Sequence, residues 1–155
     1  MTAAILCATF ISLGLPNSDA ACKHMENVVT HSKKNKIKPE VLLALIHEES
    51  RWIPAAVSSA NACGLTQVLP KYTKPKVTCE ELKKPETSIA VGAKTLSFWI
   101  TQYGKGNYKI GLCGYNSGYA CGRAANPKQR SVLYANRVLA LARRIKNRAK
   151  ELANW

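Results

Sequence analysis

Acid is what this sequence has least of. Against 23 Lys plus Arg stand nine Asp plus Glu, and the only aspartate is Asp19. Glu26, Glu40, Glu48, Glu49, Glu80, Glu81, Glu86 and Glu151 complete the acidic residues, so chemistry that needs carboxylates has few candidates. Histidine is scarce too. His24, His31 and His47 lack ligand spacing relative to the cysteines and no C-x-x-C occurs, which argues against zinc and leaves no cofactor to expect. Long apolar runs are missing: the longest, Ala3 to Leu15, has 13 residues, short of the roughly 20 that cross a bilayer. Period-two alternation is almost absent, which excludes a β-rich fold.

What is present fits one domain. A chain of 155 residues with 46% hydrophobic content can bury a core and is not disordered. Its formal charge of +14 favours a polyanionic partner: nucleic acid, anionic glycan or lipid head groups. Charge alone does not choose among them, and a well-solvated basic surface would look the same.

The run Ala3 to Leu15, followed by Pro16, Ser18, Asp19 and Ala20, has the centre and the small residues of a secretory signal cleaved before Ala21. This divides the chain into residues 1–20, a signal peptide or N-terminal anchor, and a domain over 21–155. No Lys or Arg precedes the run, so an uncleaved anchor or a buried helix stays open. Asp19 argues against a lipoprotein signal ending at Cys22. Cleavage would remove Cys7 and leave Cys22, Cys63, Cys79, Cys113 and Cys121. Two disulfides and one free or intermolecular thiol are then expected, in pairings the sequence does not distinguish.

The rest reads as helices joined by loops. Met25, Val28 and Val29 mark one amphipathic segment, and Pro39 opens a second helix running to about Arg51. Residues 55–78 are loop-like, with a small hairpin left open within 55–80. A longer helix runs from about Thr87 to Gly104, and a last one from about Ser131 to Leu152. The expected class is all-α, a single domain of several packed helices.

Two adjacent glutamates end the second helix, and they do not share a face. Leu42, Leu45, Ile46 and Glu49 follow the helical series, which brings Glu49 within about 20° of Leu42 and leaves Glu48 about 100° away. A carboxyl at the end of an apolar stripe is poorly hydrated, which raises its pKa. Such a group holds a proton near neutrality and can act as a general acid. A structural glutamate bonded to a helix N-terminus or a buried Arg is the alternative.

Five segments then occur in order: "EES" at 48–50, "ACGLTQVLP" at 62–70, "PETSIAVGAKTL" at 85–96, "GYNSG" at 114–118 and "YANRV" at 134–138. Together they resemble the lytic transglycosylases of the soluble-transglycosylase type, lysozyme-like enzymes that cleave the glycan strands of peptidoglycan. The likeness covers about residues 24 to 145. It implies a lysozyme-like fold with a deep glycan cleft and Glu49 as the catalytic acid. Ser50 and Tyr134 would orient the Glu49 carboxyl, Gln67 would read an N-acetyl group, and Tyr115 and Asn116 would line the cleft floor. Gly64 and Gly118 would let backbone approach the sugar. Thr66, Gly114 and Ser88 depart from the usual Met, Ala and Asn, and Gly114 is expected to loosen the turn that presents Tyr115. Trp52 and Trp99 read as core.

Most glycosidases need two carboxylates, and a second is hard to find here. A one-acid route to a 1,6-anhydromuramic product is therefore expected. The rivals are a water-using muramidase with Glu81 or Glu86 as second carboxylate, and a non-catalytic basic protein binding wall polymer or nucleic acid. The expected partner is peptidoglycan, met by a secreted or periplasmic monomer of bacterial or phage origin. An envelope or secretion-machinery partner is compatible, specific nucleic acid is not expected, and membrane contact would come only through an uncleaved N-terminal segment.

Overall fold

Pro39 begins the central helix at a position where its missing N–H forfeits no helical bond. The run Val41 to Ile46 that follows is buried on every side, not along one stripe. A helix apolar all round belongs at the centre of a domain, and the other helices pack about it. The computed structural model describes residues 1–123 and 129–154. In chain order the helices are α1 (Ala3–Ser12), α2 (Ser18–Cys22), α3 (Met25–Lys34), α4 (Pro39–Ser50), α5 (Cys79–Leu82), α6 (Pro85–Phe98), α7 (Tyr108–Ser117) and α8 (Arg130–Ala153). The central α4 packs against α3 and α8; α8 also contacts α7 and α1.

The all-α class is observed. Among the described residues there is no strand, and the hairpin left open within 55–80 amounts to isolated bridges of Cys63 with Val57 and Val68. The helix expected to reach Gly104 changes winding at Trp99. Residues Trp99–Tyr103 form a π-helical turn that closes with the Gly104 N–H donating to the Trp99 carbonyl at 2.8 Å. Helix α7 was hidden in the sequence by its glycines, which the packing explains. A Cβ at Gly111 would lie 2.6 Å from Ile100 Cγ1, and one at Gly114 would lie 2.5 Å from Trp99 Cε3. Gly114 therefore sits inside a helix, not in a loosened turn, and the Trp99 ring occupies the space an alanine methyl would need.

Residues 1–20, expected as a leader or anchor, form part of the packed structure. Leu6 and Phe10 of α1 are fully buried in the main core, and α1 is fastened by a Cys7–Cys22 disulfide. The expectation of one unpaired cysteine assumed that Cys7 is removed. With Cys7 in place the bridges are Cys7–Cys22, Cys63–Cys79 and Cys113–Cys121, and none of the six cysteines is free. The surface on α8 that receives α1 is what the sequence did not display. Among the described residues, no helix is long and apolar enough to cross a membrane.

The segment between α4 and α5 folds back on itself and is stapled by Cys63–Cys79. Its pivot is Gly64, at φ +79, whose N–H donates to the Ala56 carbonyl at 2.9 Å. A Cβ there would stand 1.9 Å from the Leu82 carbonyl oxygen, a backbone atom that cannot step aside. Gly64→Ala is expected to destabilise the fold by about 3 kcal/mol or more, lowering the melting temperature by on the order of 10 °C in a calorimetric scan.

Candidate active site

The last turn of α4 separates the two glutamates. Tyr134 of α8 donates its hydroxyl to Glu49 Oε1 at 2.5 Å, whereas Glu48 Oε1 accepts from Arg137 Nε at 2.6 Å, with Arg51 3.9 Å from its other oxygen. Tyr134 and Arg137 stand one turn apart on α8, so the two bonds form successive rungs between α4 and α8. Glu49, the glutamate aligned with the apolar stripe, is the more deeply buried carboxyl of the two. What distinguishes the two carboxyls is the partner each meets on α8.

For Glu49, burial outweighs the partner in setting its chemistry. Burial pushes the Glu49 carboxyl up from its ordinary value to about 7. The Tyr134 hydrogen bond opposes this shift and the neighbouring Glu48 charge adds to it. Tyr134 is itself held well above the usual phenol range, first by burial and then by the nearby Glu49, so it remains a donor. Near neutrality Glu49 is poised between acid and base, while Glu48 is occupied in an ion pair.

The other expected site residues divide. Ser50 is adjacent but does not face the carboxyl: its hydroxyl donates to the Ile46 carbonyl at 3.2 Å and accepts the Trp52 N–H at 3.2 Å. It shapes the turn after α4. Gln67, in the left-handed region at φ 50, donates through Nε2 to the carbonyls of Ala56 and Gly64 at 3.0 and 2.9 Å. Both amide hydrogens are thereby committed, and Oε1 is the atom it can offer a ligand as acceptor. Tyr115 donates to the Thr66 carbonyl at 2.6 Å, tying α7 to the Gln67 loop. Its hydroxyl is also pushed well above the phenol range, by burial and then by the Glu49 charge, which places it in the electrostatic reach of Glu49. Asn116 is exposed near the end of α7. Trp52 is core, as expected, while Trp99 is only half-buried among Phe98, Tyr103 and Tyr119.

Two departures from the family pattern are partners. Thr66 Oγ1 donates to the Ser88 carbonyl at 2.8 Å and lies 3.0 Å from Ser88 Oγ, which accepts the Thr66 N–H at 3.1 Å. Both residues are fully buried, so each satisfies polar groups the other would otherwise leave orphaned. Gly92 makes room for them: a Cβ there would come within 2.4 Å of Thr66 Cβ. Neither this pairing nor the role of Arg137 was read from the sequence. The signal for Arg137 lay inside "YANRV", one helical turn beyond the tyrosine.

The transglycosylase SLT domain model matches residues 26–137, well over half of the chain. The chain belongs to that family. A Haemophilus influenzae protein described as a soluble lytic murein transglycosylase is 31% identical over 117 residues, 70% of this chain and 19% of that protein. The membrane-bound lytic murein transglycosylase E of Buchnera aphidicola is 28% identical over 46% of this chain and 37% of its own length. The matches thus span only 19% and 37% of these curated relatives' own lengths. The fold of this SLT chain matches a lytic transglycosylase of Pseudomonas aeruginosa solved as an inactive mutant, with TM-score 0.72 and 22% identity over 80% of this chain and 24% of that one. The 70 kDa soluble lytic transglycosylase of Escherichia coli gives 0.70 and 22%, over 79% and 24%. These likenesses place the SLT domain in the lysozyme-like fold expected from the motifs.

A raised carboxyl pKa has a stability consequence. Below about pH 4.5 Glu49 is protonated in both folded and unfolded chains; as pH rises toward 7 the unfolded chain ionises first, and folding is progressively disfavoured. Glu49→Gln removes this penalty. Its melting temperature should equal wild type near pH 4 and exceed it by a few degrees above pH 7, measured by thermal scans across that range.

Proposed function

We propose that this SLT domain is a peptidoglycan lytic transglycosylase that cleaves the β-1,4 bond between N-acetylmuramic acid and N-acetylglucosamine. Glu49 acts alone, first as acid and then as base. The observation that carries the reading is the desolvated, Tyr134-bonded carboxyl, which among the described residues stands without a second carboxylate available to work with it. Glu48 is engaged by Arg137 and Arg51. Glu80 pairs with Lys83, and Glu81 accepts the Thr78 N–H in a capping box at the exposed start of α5. Glu86 lies in the first turn of α6, where its charge is felt by His24.

The steps balance without water. Glu49 gives its proton to the glycosidic oxygen as the C1–O4 bond breaks, and the 2-acetamido oxygen of the muramic residue stabilises the electron-poor C1. The resulting carboxylate takes the proton of the muramic 6-hydroxyl, whose oxygen bonds to C1. The product carries a 1,6-anhydro ring and Glu49 is reprotonated. Tyr134 fixes the carboxyl rotamer through both steps. Gln67 Oε1 would accept from an acetamido N–H, Asn116 would bond sugar hydroxyls, and Tyr115 would hold the Gln67 loop at the cleft floor. Three disulfides suit a secreted or periplasmic setting, where the wall is the substrate at hand.

The acid form is required, so turnover of purified peptidoglycan should fall as pH rises through about 7. Glu49→Gln should lower kcat by at least about 10²-fold while glycan binding persists. Tyr134→Phe should lower kcat about tenfold and move the alkaline limb upward, because it removes the hydrogen bond that holds the Glu49 pKa down. Product masses separate the rivals: anhydro products have no added water, whereas a muramidase with Glu81 or Glu86 adds one water per cut. Binding of wall polymer without any cut would favour the non-catalytic reading.

A further inference from the structure

The family match begins at residue 26 and ends at 137, yet the folded unit reaches from α1 to the far end of α8. The two stretches outside the match meet each other. α1 packs along α8, and Arg148 Nε donates to Ser12 Oγ at 3.0 Å.

The N-terminal stretch also meets the turn that follows the candidate acid. The chain leaves α4 through Arg51 and Trp52, at φ 51 and 65, two consecutive left-handed residues with side chains. Such a turn persists only where its surroundings over-determine it, and turns of this kind cluster at working sites. Here residues 10–24 supply the surroundings. Asn17 Nδ2 donates to the Arg51 carbonyl at 2.7 Å. The Phe10 ring stands edge-on to His47 at 5.9 Å and to Trp52 at 5.7 Å, and His24 stacks over Trp52 at 6.5 Å. Ser18 Oγ donates to the Phe10 carbonyl at 3.2 Å, and Cys7–Cys22 closes the segment on itself.

We propose that residues 3–22 are a permanent part of the catalytic unit, in which Phe10 and Asn17 are positioning residues that lock the turn after Ser50 and so hold Glu49 against Tyr134. Glu49 faces the neutral phenols of Tyr134 on α8 and Tyr115 on α7. On its own helix it has Glu48, compensated by Arg137 and Arg51, and the buried His47. Loosening the turn admits water to the carboxyl without bringing in a new charge. Only the activity arm of the test rests on the function proposed above.

The test uses the full chain. Phe10→Ala opens space against His47 and Trp52, Phe10→Leu refills it, and Asn17→Ala deletes the bond to Arg51. Phe10→Ala is expected to lower kcat on purified peptidoglycan about tenfold with KM within about twofold. Its alkaline limb should move to lower pH as Glu49 becomes hydrated, and hydrogen exchange at the amides of Arg51 to Ile53 should accelerate. Phe10→Leu should restore most of kcat, and Asn17→Ala should show the same pattern more weakly. Wild-type kcat, pH limb and exchange in Phe10→Ala would overturn the proposal. Should that variant not fold, the same unchanged results in Asn17→Ala would overturn it. Recovery of a fully active protein beginning at Ala21 from the producing cells would overturn it too. An inactive wild type would refute the transglycosylase reading instead, and amide exchange in the variants would then decide the positioning role by itself.

Discussion

A single bond between two desolvated groups, Tyr134 Oη and Glu49 Oε1, joins positions 85 residues apart and fixes how α8 lies on α4. Its worth comes from its surroundings. In bulk water a phenol and a carboxyl gain little by meeting; in a poorly hydrated crossing each would otherwise stand unsatisfied. The rung formed by Arg137 and Glu48 one turn further on belongs to the same crossing and keeps the neighbouring negative charge occupied. Removing water raises the Glu49 pKa while the bond to Tyr134 restrains it, and the balance leaves the group near 7.

The loop facing this crossing is built with similar economy. Gly64 lets the backbone pass against Leu82, Gln67 is held by two carbonyls, and Tyr115 ties the loop to α7. Thr66 and Ser88 satisfy one another's polar groups and fit because Gly92 has no side chain. Seen singly, each departure suggested a change in the cleft. Together they preserve a packed junction between loop and α6.

Much of this was legible in the residues. Pro39, the apolar run after it and the helical spacing in α6 and α8 announced those elements, and Glu49 stood out because acid is so scarce. Two things were hidden for a common reason: they are decided by partners distant in sequence. Gly111 and Gly114 suggested a broken helix until Ile100 and Trp99 were seen filling their space. The run from Ala3 to Leu15 carries the features of a leader, and nothing in its own composition reveals that Phe10 meets His47 and Trp52. Ser50 is the opposite case. The family resemblance suggested that it serves the carboxyl, whereas its hydroxyl bonds the backbone of the turn.

The central claim is that Glu49 retains its proton near neutrality in the free protein. A site-resolved titration of its carboxyl carbon, by NMR of glutamate-labelled protein with Glu49→Gln to assign the signal, measures this without substrate. The account predicts a midpoint close to 7. A midpoint at the ordinary carboxyl value of about 4.5 would contradict it.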